Sequence, residues 1–186
     1  ALAGLGDLHV YKPSDDMEDA RHWIMANGET TMGFREDLVR NAIEGHAQSL
    51  AALKHYFDHE TGHELDSAQA VSQAYASSQS PLFTIKSTPG GRKATGGVIS
   101  EVKNTYFSTK NAELKQYLGY PMSMWDLDAT EMGVQSEGLA LQVLQAETFA
   151  QLVSMWYNHR ELLRQNMPES YNLMKELHRA LERIPH

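Results

Sequence analysis

The chain has 186 residues, of which 41% are hydrophobic and 22% charged, as is usual for a single globular domain with a sizeable core. Its net charge of −8 opposes binding to a nucleic-acid backbone, and no apolar run approaches the roughly 20 residues that cross a bilayer. The absence of cysteine excludes disulfides and thiolate ligands, so any metal ion must be held by His, Asp and Glu.

We expect one domain over residues 1–186, with residues 1–45 as an N-terminal subregion. LHVYK predicts a first strand, stopped by Pro13. Ser14 and the two aspartates after it can cap a helix that ends at Asn27-Gly28. Its apolar positions are Met17, Ala20, Trp23 and Ile24. A second helix is expected from about Arg35, in a segment otherwise poor in strands, with a break at Gly45-His46.

A long helix is predicted from about Ala47 to about Asp66. Residues 77–136 then form an insertion with a β-hairpin at 82–107, whose strands are LFTIKS and VISEVKNTYFS. If the hairpin is the edge that binds substrate, its Gly-rich tip at 89–97 is expected to be a mobile lid. The alternative is that the hairpin only covers the core. Further helices are predicted at 111–120, 137–158 and 169–183, the last after a break at Asn166-Met167-Pro168. The predicted fold class is α+β, mostly helical, with a small β-hairpin.

The predicted long helix contains His59-Glu60-Thr61-Gly62-His63, which has the form H-E-x-x-H. Residues four apart lie on one face of a helix, so His59 and His63 can bind one metal ion. Glu60 is rotated by about 100° from His59 around the helix. This rotation places its carboxylate beside the coordination position where a metal-bound water would sit. In such sites zinc lowers the pKa of the water, and the glutamate accepts its proton as the water attacks a carbonyl.

Two further residues support a site on this helix. Gly62 costs about 1 kcal/mol in a helix interior relative to Ala, which indicates close approach of another element. Glu147 lies in an apolar helical run, flanked by the small residues Ala146 and Ala150. Because an unpaired buried carboxylate is costly, Glu147 is the candidate third ligand. Its competitors for that role are Glu137, Glu131, Asp126 and Asp128.

HETGHELD, followed downstream by AETFAQLVSMWYNHRELLRQNMPESYNLMKELHRAL, resembles the catalytic domain of the anthrax lethal factor type. More broadly it resembles compact gluzincin-type zinc metallopeptidases, which occur as bacterial toxins and injected effectors. The resemblance covers about a third of the chain. It implies a zincin-like domain that binds Zn²⁺ through His59, His63 and Glu147, with Glu60 as general base. It also implies a virulence protein that is secreted or delivered into a target cell and cleaves a protein or peptide there.

The chain departs from this family in three respects. The ligand segments are farther apart than in a compact member, and Gln151 replaces a family glutamate. The tyrosine that assists the oxyanion in lethal factor has no counterpart in GLALQVLQ, residues 138–145. A proton donor must therefore come from elsewhere, and the candidates are Tyr106, Tyr117, Tyr120 and His46. Candidates for contact with the ligand imidazoles are Asp58, Asp66 and His55.

Two alternatives remain open at the level of sequence. The first is a non-catalytic helical binding or structural domain with a degenerate H-E-x-x-H motif. The second is a restriction-type nuclease toxin, because Glu101-Val102-Lys103 resembles the E-x-K strand of such enzymes, although the net charge opposes it. The sequence does not identify a cleaved protein or a neutralising partner.

Overall fold

The structure is a computed structural model that describes residues 7–11, 20–24, 30–69, 85–89, 91–94 and 97–181. Within these ranges the chain is mostly helical. Its elements are β1 (Asp7–Tyr11), β2 (Ala20–Ile24), β3 (Thr30–Arg35), α1 (Glu36–Ile43), α2 (Ala47–Gln69), β4 (Ile85–Thr88), β5 (Gly91–Ala94), α3 (Gly97–Ser108), α4 (Ala112–Ser123), α5 (Glu137–Asn158), α6 (Arg160–Asn166) and α7 (Pro168–Leu181). None of the helices in these ranges has the length and apolar character that a membrane span requires.

The first three strands form a small mixed sheet with β3 in the middle. β1 pairs with β3 in parallel and β2 pairs with it in antiparallel orientation. Met32 and Phe34 of β3 are buried, and the Phe34 ring stacks on Phe57 of α2 at 6.2 Å between centroids. Since α2 carries the H-E-x-x-H motif, this contact joins the sheet to the motif helix.

The predicted strand at LHVYK is confirmed by β1, but the helix predicted after Ser14 is wrong where the structure describes it. Residues 20–24 are strand β2, and the other residues of that predicted helix lie outside the described ranges. The segment expected to be poor in strands contains β3, and α1 then follows as predicted. Residues 20–24 form a strand because they pair with β3, and strand formation depends on such pairing more than on the local spacing of apolar residues.

The main core lies among the helices, with α5 at its centre. Every residue of α5 from Thr148 to Trp156 is buried, as expected for a helix that is covered on all sides. Around it pack buried side chains of α3, α4, α6 and α7, among them Ile99, Leu118, Leu163 and Met174. The core thus fixes α5, which is the helix that carries Glu147.

The second predicted hairpin strand is a helix. Val98, Ile99 and Val102 are buried on α3 at helical spacing, although their β-branched character favours a strand. The hairpin is β4 with β5 in antiparallel pairing, spanning 85–94 rather than 82–107. Gly91 has a φ of +97°, which suits a glycine at the start of β5. Residues 82–84, 90, 95 and 96 lie outside the described ranges.

The remaining helix predictions agree closely with the structure. The motif helix begins at Ala47 as expected, and α5 has the predicted bounds. The side chain of Ser136 accepts a hydrogen bond from the backbone N–H of Leu139 at the start of α5. α4 continues past Gly119 and Pro121 to Ser123, because Pro121 and Met122 are buried in the core.

Arg92 of β5 anchors the hairpin that was expected to be a mobile lid. Its side chain is 4% exposed and forms two hydrogen bonds to the Glu137 carboxylate, at 2.7 and 3.1 Å. It also donates to the backbone carbonyl of Met124 at 2.8 Å. β5 is therefore attached to the end of α4 and the start of α5, and the lid prediction is wrong for residues 91–94.

Arg92→Ala should lower the free energy of unfolding by about 2–3 kcal/mol, because it removes several charge-assisted hydrogen bonds around a buried side chain. Chemical denaturation measures the effect. The matched control is Arg164→Ala, whose guanidinium pairs with Glu161 on the surface with both side chains more than half exposed, and that change should cost less than about 1 kcal/mol. Equal effects of the two substitutions would contradict the anchoring role.

Candidate metal centre

Three side chains from two facing helices meet at one point. Nε2 of His59 and Nε2 of His63 on α2 each lie 3.2 Å from Oε2 of Glu147 on α5. The two Nε2 atoms are also 3.2 Å apart. Among the residues that the structure describes, His59, His63 and Glu147 form a group whose ligand atoms lie close enough together to hold one metal ion.

The three atoms have the spacing that a metal ion requires. They form a triangle with equal sides of 3.2 Å. Ligands at 2.0–2.1 Å from a tetrahedral ion lie about 3.3–3.4 Å from one another. The two imidazoles and the carboxylate therefore fit one ion with little movement, and the fourth position of such an ion remains open.

The charge of Glu147 suits a cation. Burial raises the pKa of its carboxyl, but hydrogen bonds from His59 and His63 outweigh burial and lower the pKa to about 2. The carboxylate is thus ionised at neutral pH in a buried position. Nδ1 of His59 is also buried and has no hydrogen-bond partner among the described residues. A set of one carboxylate and two imidazoles matches the ligand chemistry of zinc and similar ions.

Glu60 follows the ligand His59 directly and is 6% exposed. A helix rotates by about 100° per residue, so its carboxylate lies on a neighbouring side of α2 from the two imidazoles. It is thus a buried acidic group adjacent to the ligands and on the same rigid helix. The general-base role of Glu60 stays a prediction, and the structure gives its burial and its place directly after His59 on α2.

Gly62 allows the two ligand-bearing helices to approach. A Cβ added at Gly62 would lie 2.6 Å from Cα and 3.1 Å from Cβ of Ala150. These distances leave no room for a side chain. The expectation of close approach at Gly62 is therefore confirmed, and Ala150 is the residue that it meets.

Gly62→Ala should destabilise the fold by about 1–3 kcal/mol through overpacking and weaken metal binding, because α2 must move away from α5. Denaturation and chelator competition measure the two effects. Gly119→Ala on α4 is the matched control, since no atom lies within 4 Å of the added Cβ and alanine favours a helix. A Gly62→Ala protein with unchanged stability and metal affinity would contradict the role of this contact.

The competitors of Glu147 have other positions. Glu137 pairs with Arg92. Asp128 and Glu131 form reciprocal hydrogen bonds to each other's backbone N–H at an exposed turn, and Asp126 is exposed. None of these four residues belongs to the group around His59 and His63. The structure thus brings Glu147 alone of the five to the two histidines.

Of the residues expected to contact the ligand imidazoles, His55 lies beside one, with its ring 6.3 Å from that of His59 between centroids. The carboxylate of Asp58 accepts a hydrogen bond from the Asn158 side chain at 2.7 Å, and burial raises its pKa. His55 has Nδ1 2.8 Å from the Ser154 hydroxyl. Burial lowers the pKa of His55 to about 4, as do the nearby His59 and His159. These two residues therefore join α2 to α5, while the side chain of Asp66 lies outside the described part.

Among the four candidate proton donors, Tyr120 lies beside a ligand. Its ring is 6.1 Å from that of His59 between centroids and in edge-on orientation, and the residue is 51% exposed. Tyr117 instead contacts His55 and His159. Tyr106 packs against Phe107 and the core, and His46 precedes α2 in an exposed position. Tyr120 is therefore the candidate of the four whose ring lies beside a residue of the His59, His63 and Glu147 group.

Glu101 and Lys103, the two residues that suggested a nuclease, form contacts within the helical core region. Glu101 lies on helix α3 rather than on a strand, and its carboxylate accepts hydrogen bonds from the backbone N–H of Glu169 and Ser170 at the start of α7. Lys103 lies over the Trp125 ring at 4.3 Å. Glu101-Val102-Lys103 therefore does not form the strand of an E-x-K motif. It lies on helix α3, and the Glu101 carboxylate caps the start of helix α7.

Sequence reasoning missed a hydrogen-bonded chain next to the site. It consists of Glu113 and Tyr117 on α4 and of His159 at the end of α5. The spacing of Glu113, Tyr117 and Tyr120 places all three on one face of α4, which is the one signal that could have pointed to them. The partner His159 is 42 residues beyond Tyr117, and no local pattern marks it.

Comparison of the chain with protein-family models, with curated proteins and with solved structures finds no match. The interpretation of the site therefore depends on its geometry and on the chemistry of its residues.

Protein purified without chelator should contain about one equivalent of a divalent metal ion, measured by elemental analysis. His59→Ala, His63→Ala and Glu147→Ala should each lose most of it, because each removes one of three ligands. Glu60→Ala should keep the metal, and so should His46→Ala, a histidine control away from the ligands of α2. Full metal content in a protein that lacks both His59 and His63 would contradict the site.

Proposed function

We propose that this protein is a zinc-dependent peptidase that hydrolyses a peptide bond of a protein or peptide substrate. The observation that carries the proposal is the equal triangle of 3.2 Å among His59, His63 and Glu147, next to the buried carboxylate of Glu60. Three protein ligands with an open fourth position are typical of catalytic rather than structural zinc sites. Structural zinc sites usually have four protein ligands.

A zinc ion bound there supplies Lewis acidity, which polarises a substrate carbonyl and makes a water molecule acidic at neutral pH. Glu60 would accept a proton from the attacking water at its carboxylate and would later give it to the leaving amine. Its position on α2, directly after His59, ties the base to the ligand with no mobile segment between them. Burial excludes bulk water from the carboxylate and strengthens its electrostatic interactions.

Tyr120 is the residue that would assist the carbonyl oxygen. Its ring stands edge-on to His59, and about half of the residue is accessible to solvent and therefore to a substrate. A phenol hydroxyl can donate a hydrogen bond to developing negative charge on oxygen. This assignment gives α4 a part in catalysis, in addition to α2 and α5.

The resemblance of HETGHELD and of the segment after Ala146 to lethal-factor-type gluzincins supports the same activity. On that resemblance, the protein acts as a bacterial toxin or effector after secretion or delivery into a target cell. The zincin-like fold and this biological role form part of the proposal. The non-catalytic alternative, with a degenerate motif, differs in two respects that can be measured: it requires no bound metal and predicts no peptide cleavage by the wild-type protein.

Glu60→Gln should lower peptide cleavage by about 10²–10⁴-fold, because the amide cannot accept the proton while its size is nearly the same. Cleavage of a fluorescence-quenched peptide library by the zinc-loaded protein measures the effect. Zinc content and the unfolding transition should stay at the wild-type level. Glu176→Gln, an exposed change on α7, is the control that should keep full activity. Equal cleavage by Glu60→Gln and the wild type would reject Glu60 as the base.

A further inference from the structure

Two tyrosines of α4 lie against two successive histidines of the metal-binding helix. The Tyr117 ring meets the His55 ring edge-on at 5.2 Å, and the Tyr120 ring meets the His59 ring edge-on at 6.1 Å. The tyrosines are one turn apart on α4, and the histidines are one turn apart on α2. The placement of Tyr120 beside His59 therefore depends on the rotation of α4 against α2.

Tyr117 also reaches the end of the helix that carries Glu147. Its hydroxyl lies 2.5 Å from Nε2 of His159, and Nδ1 of His159 lies 3.0 Å from the Glu113 carboxylate. Burial and the charge of Glu113 raise the pKa of Tyr117, so the phenol keeps its proton and can donate it to Nε2. The Glu113 carboxylate accepts the proton on Nδ1, which selects the tautomer with a free acceptor at Nε2.

The apolar face of α4 sets its approximate rotation. Leu114, Leu118 and Met122 are buried and turn this face of α4 toward the core. Hydrogen bonds have preferred angles and distances, so they restrict the remaining rotation more narrowly than apolar burial does. The bond from Tyr117 to His159 is the directional contact that can fix the final rotation of α4.

We propose that Tyr117, held by His159 and Glu113, is a positioning residue that sets the rotation of α4 and so holds Tyr120 beside the metal ligand His59. This inference rests on the proposed function, in which Tyr120 assists the substrate oxygen. Tyr117 itself does not touch the substrate or the metal ligands. It acts through Tyr120, one turn later on the same helix.

The kinetic test is Tyr117→Phe in the zinc-loaded protein, with the quenched peptide library as substrate. The kcat should fall by roughly 10–100-fold, since a misplacement of about 1 Å can cost about 10²-fold. KM and zinc affinity should change little, because no ligand is altered. In a Tyr120→Phe background the same change should have no further effect. Tyr106→Phe, a half-buried tyrosine on α3 away from this chain of contacts, is the matched control and should keep wild-type kcat.

A second measurement does not depend on activity. In NMR spectra of the zinc-loaded protein, wild type should show a nuclear Overhauser effect between the Tyr120 and His59 rings, and Tyr117→Phe should weaken it. His159→Ala removes the acceptor and should do the same, which covers the case in which Tyr117→Phe folds poorly. If the wild type cleaves no peptide while the two rings move apart in both variants, the proposed function is rejected and the positioning role stands. An unchanged Overhauser effect, or wild-type kcat, in both variants would overturn the inference.

Discussion

The close contact between Gly62 and Ala150 is the constraint on which the site depends. Because Gly62 has no side chain, α2 and α5 approach until an added Cβ would lie 2.6 Å from the Ala150 backbone. One turn away along α5, the Glu147 carboxylate then reaches the two imidazoles of α2 at 3.2 Å. Wider separation would leave an ionised carboxylate buried without its partners, at considerable cost. The same contact thus permits both the packing of the helices and the assembly of the ligand group.

Polar contacts farther along the two helices, C-terminal to Ala150 on α5 and N-terminal to Gly62 on α2, keep them in register. Ser154 meets His55, and Asn158 donates to Asp58. His55 and Asp58 are expected from the sequence to contact the ligand imidazoles. Both join α2 to α5, and the His55 ring also lies beside that of His59. The consequence for the site is indirect: they limit sliding of one helix along the other, so the ligand atoms remain opposite each other. Arg92 of β5 instead joins the start of α5 to the end of α4, through Glu137 and the Met124 carbonyl.

The parts of the structure that the sequence predicted have strong local signals. The motif helix has an apolar face and fixed spacing of His59 and His63, and α5 begins after the capping Ser136. Glu147 is recognisable because it is charged in an apolar run. The predictions that failed concern residues whose local sequence signal is misleading or absent. Val98, Ile99 and Val102 favour a strand, yet their spacing suits the helix that the core requires. His159 has no local signal, since its partner Tyr117 lies on another helix.

The central claim is that His59, His63 and Glu147 bind one zinc ion and leave a position open. X-ray absorption spectroscopy at the zinc edge tests it most directly on the purified, zinc-loaded protein. The account predicts a first shell of about four nitrogen and oxygen atoms at about 2.0–2.1 Å, with the multiple scattering of two imidazoles. In Glu147→Ala the two imidazoles should remain while one protein oxygen is replaced by solvent. A first shell with one imidazole or none, or a spectrum identical to that of zinc in buffer, would contradict the claim.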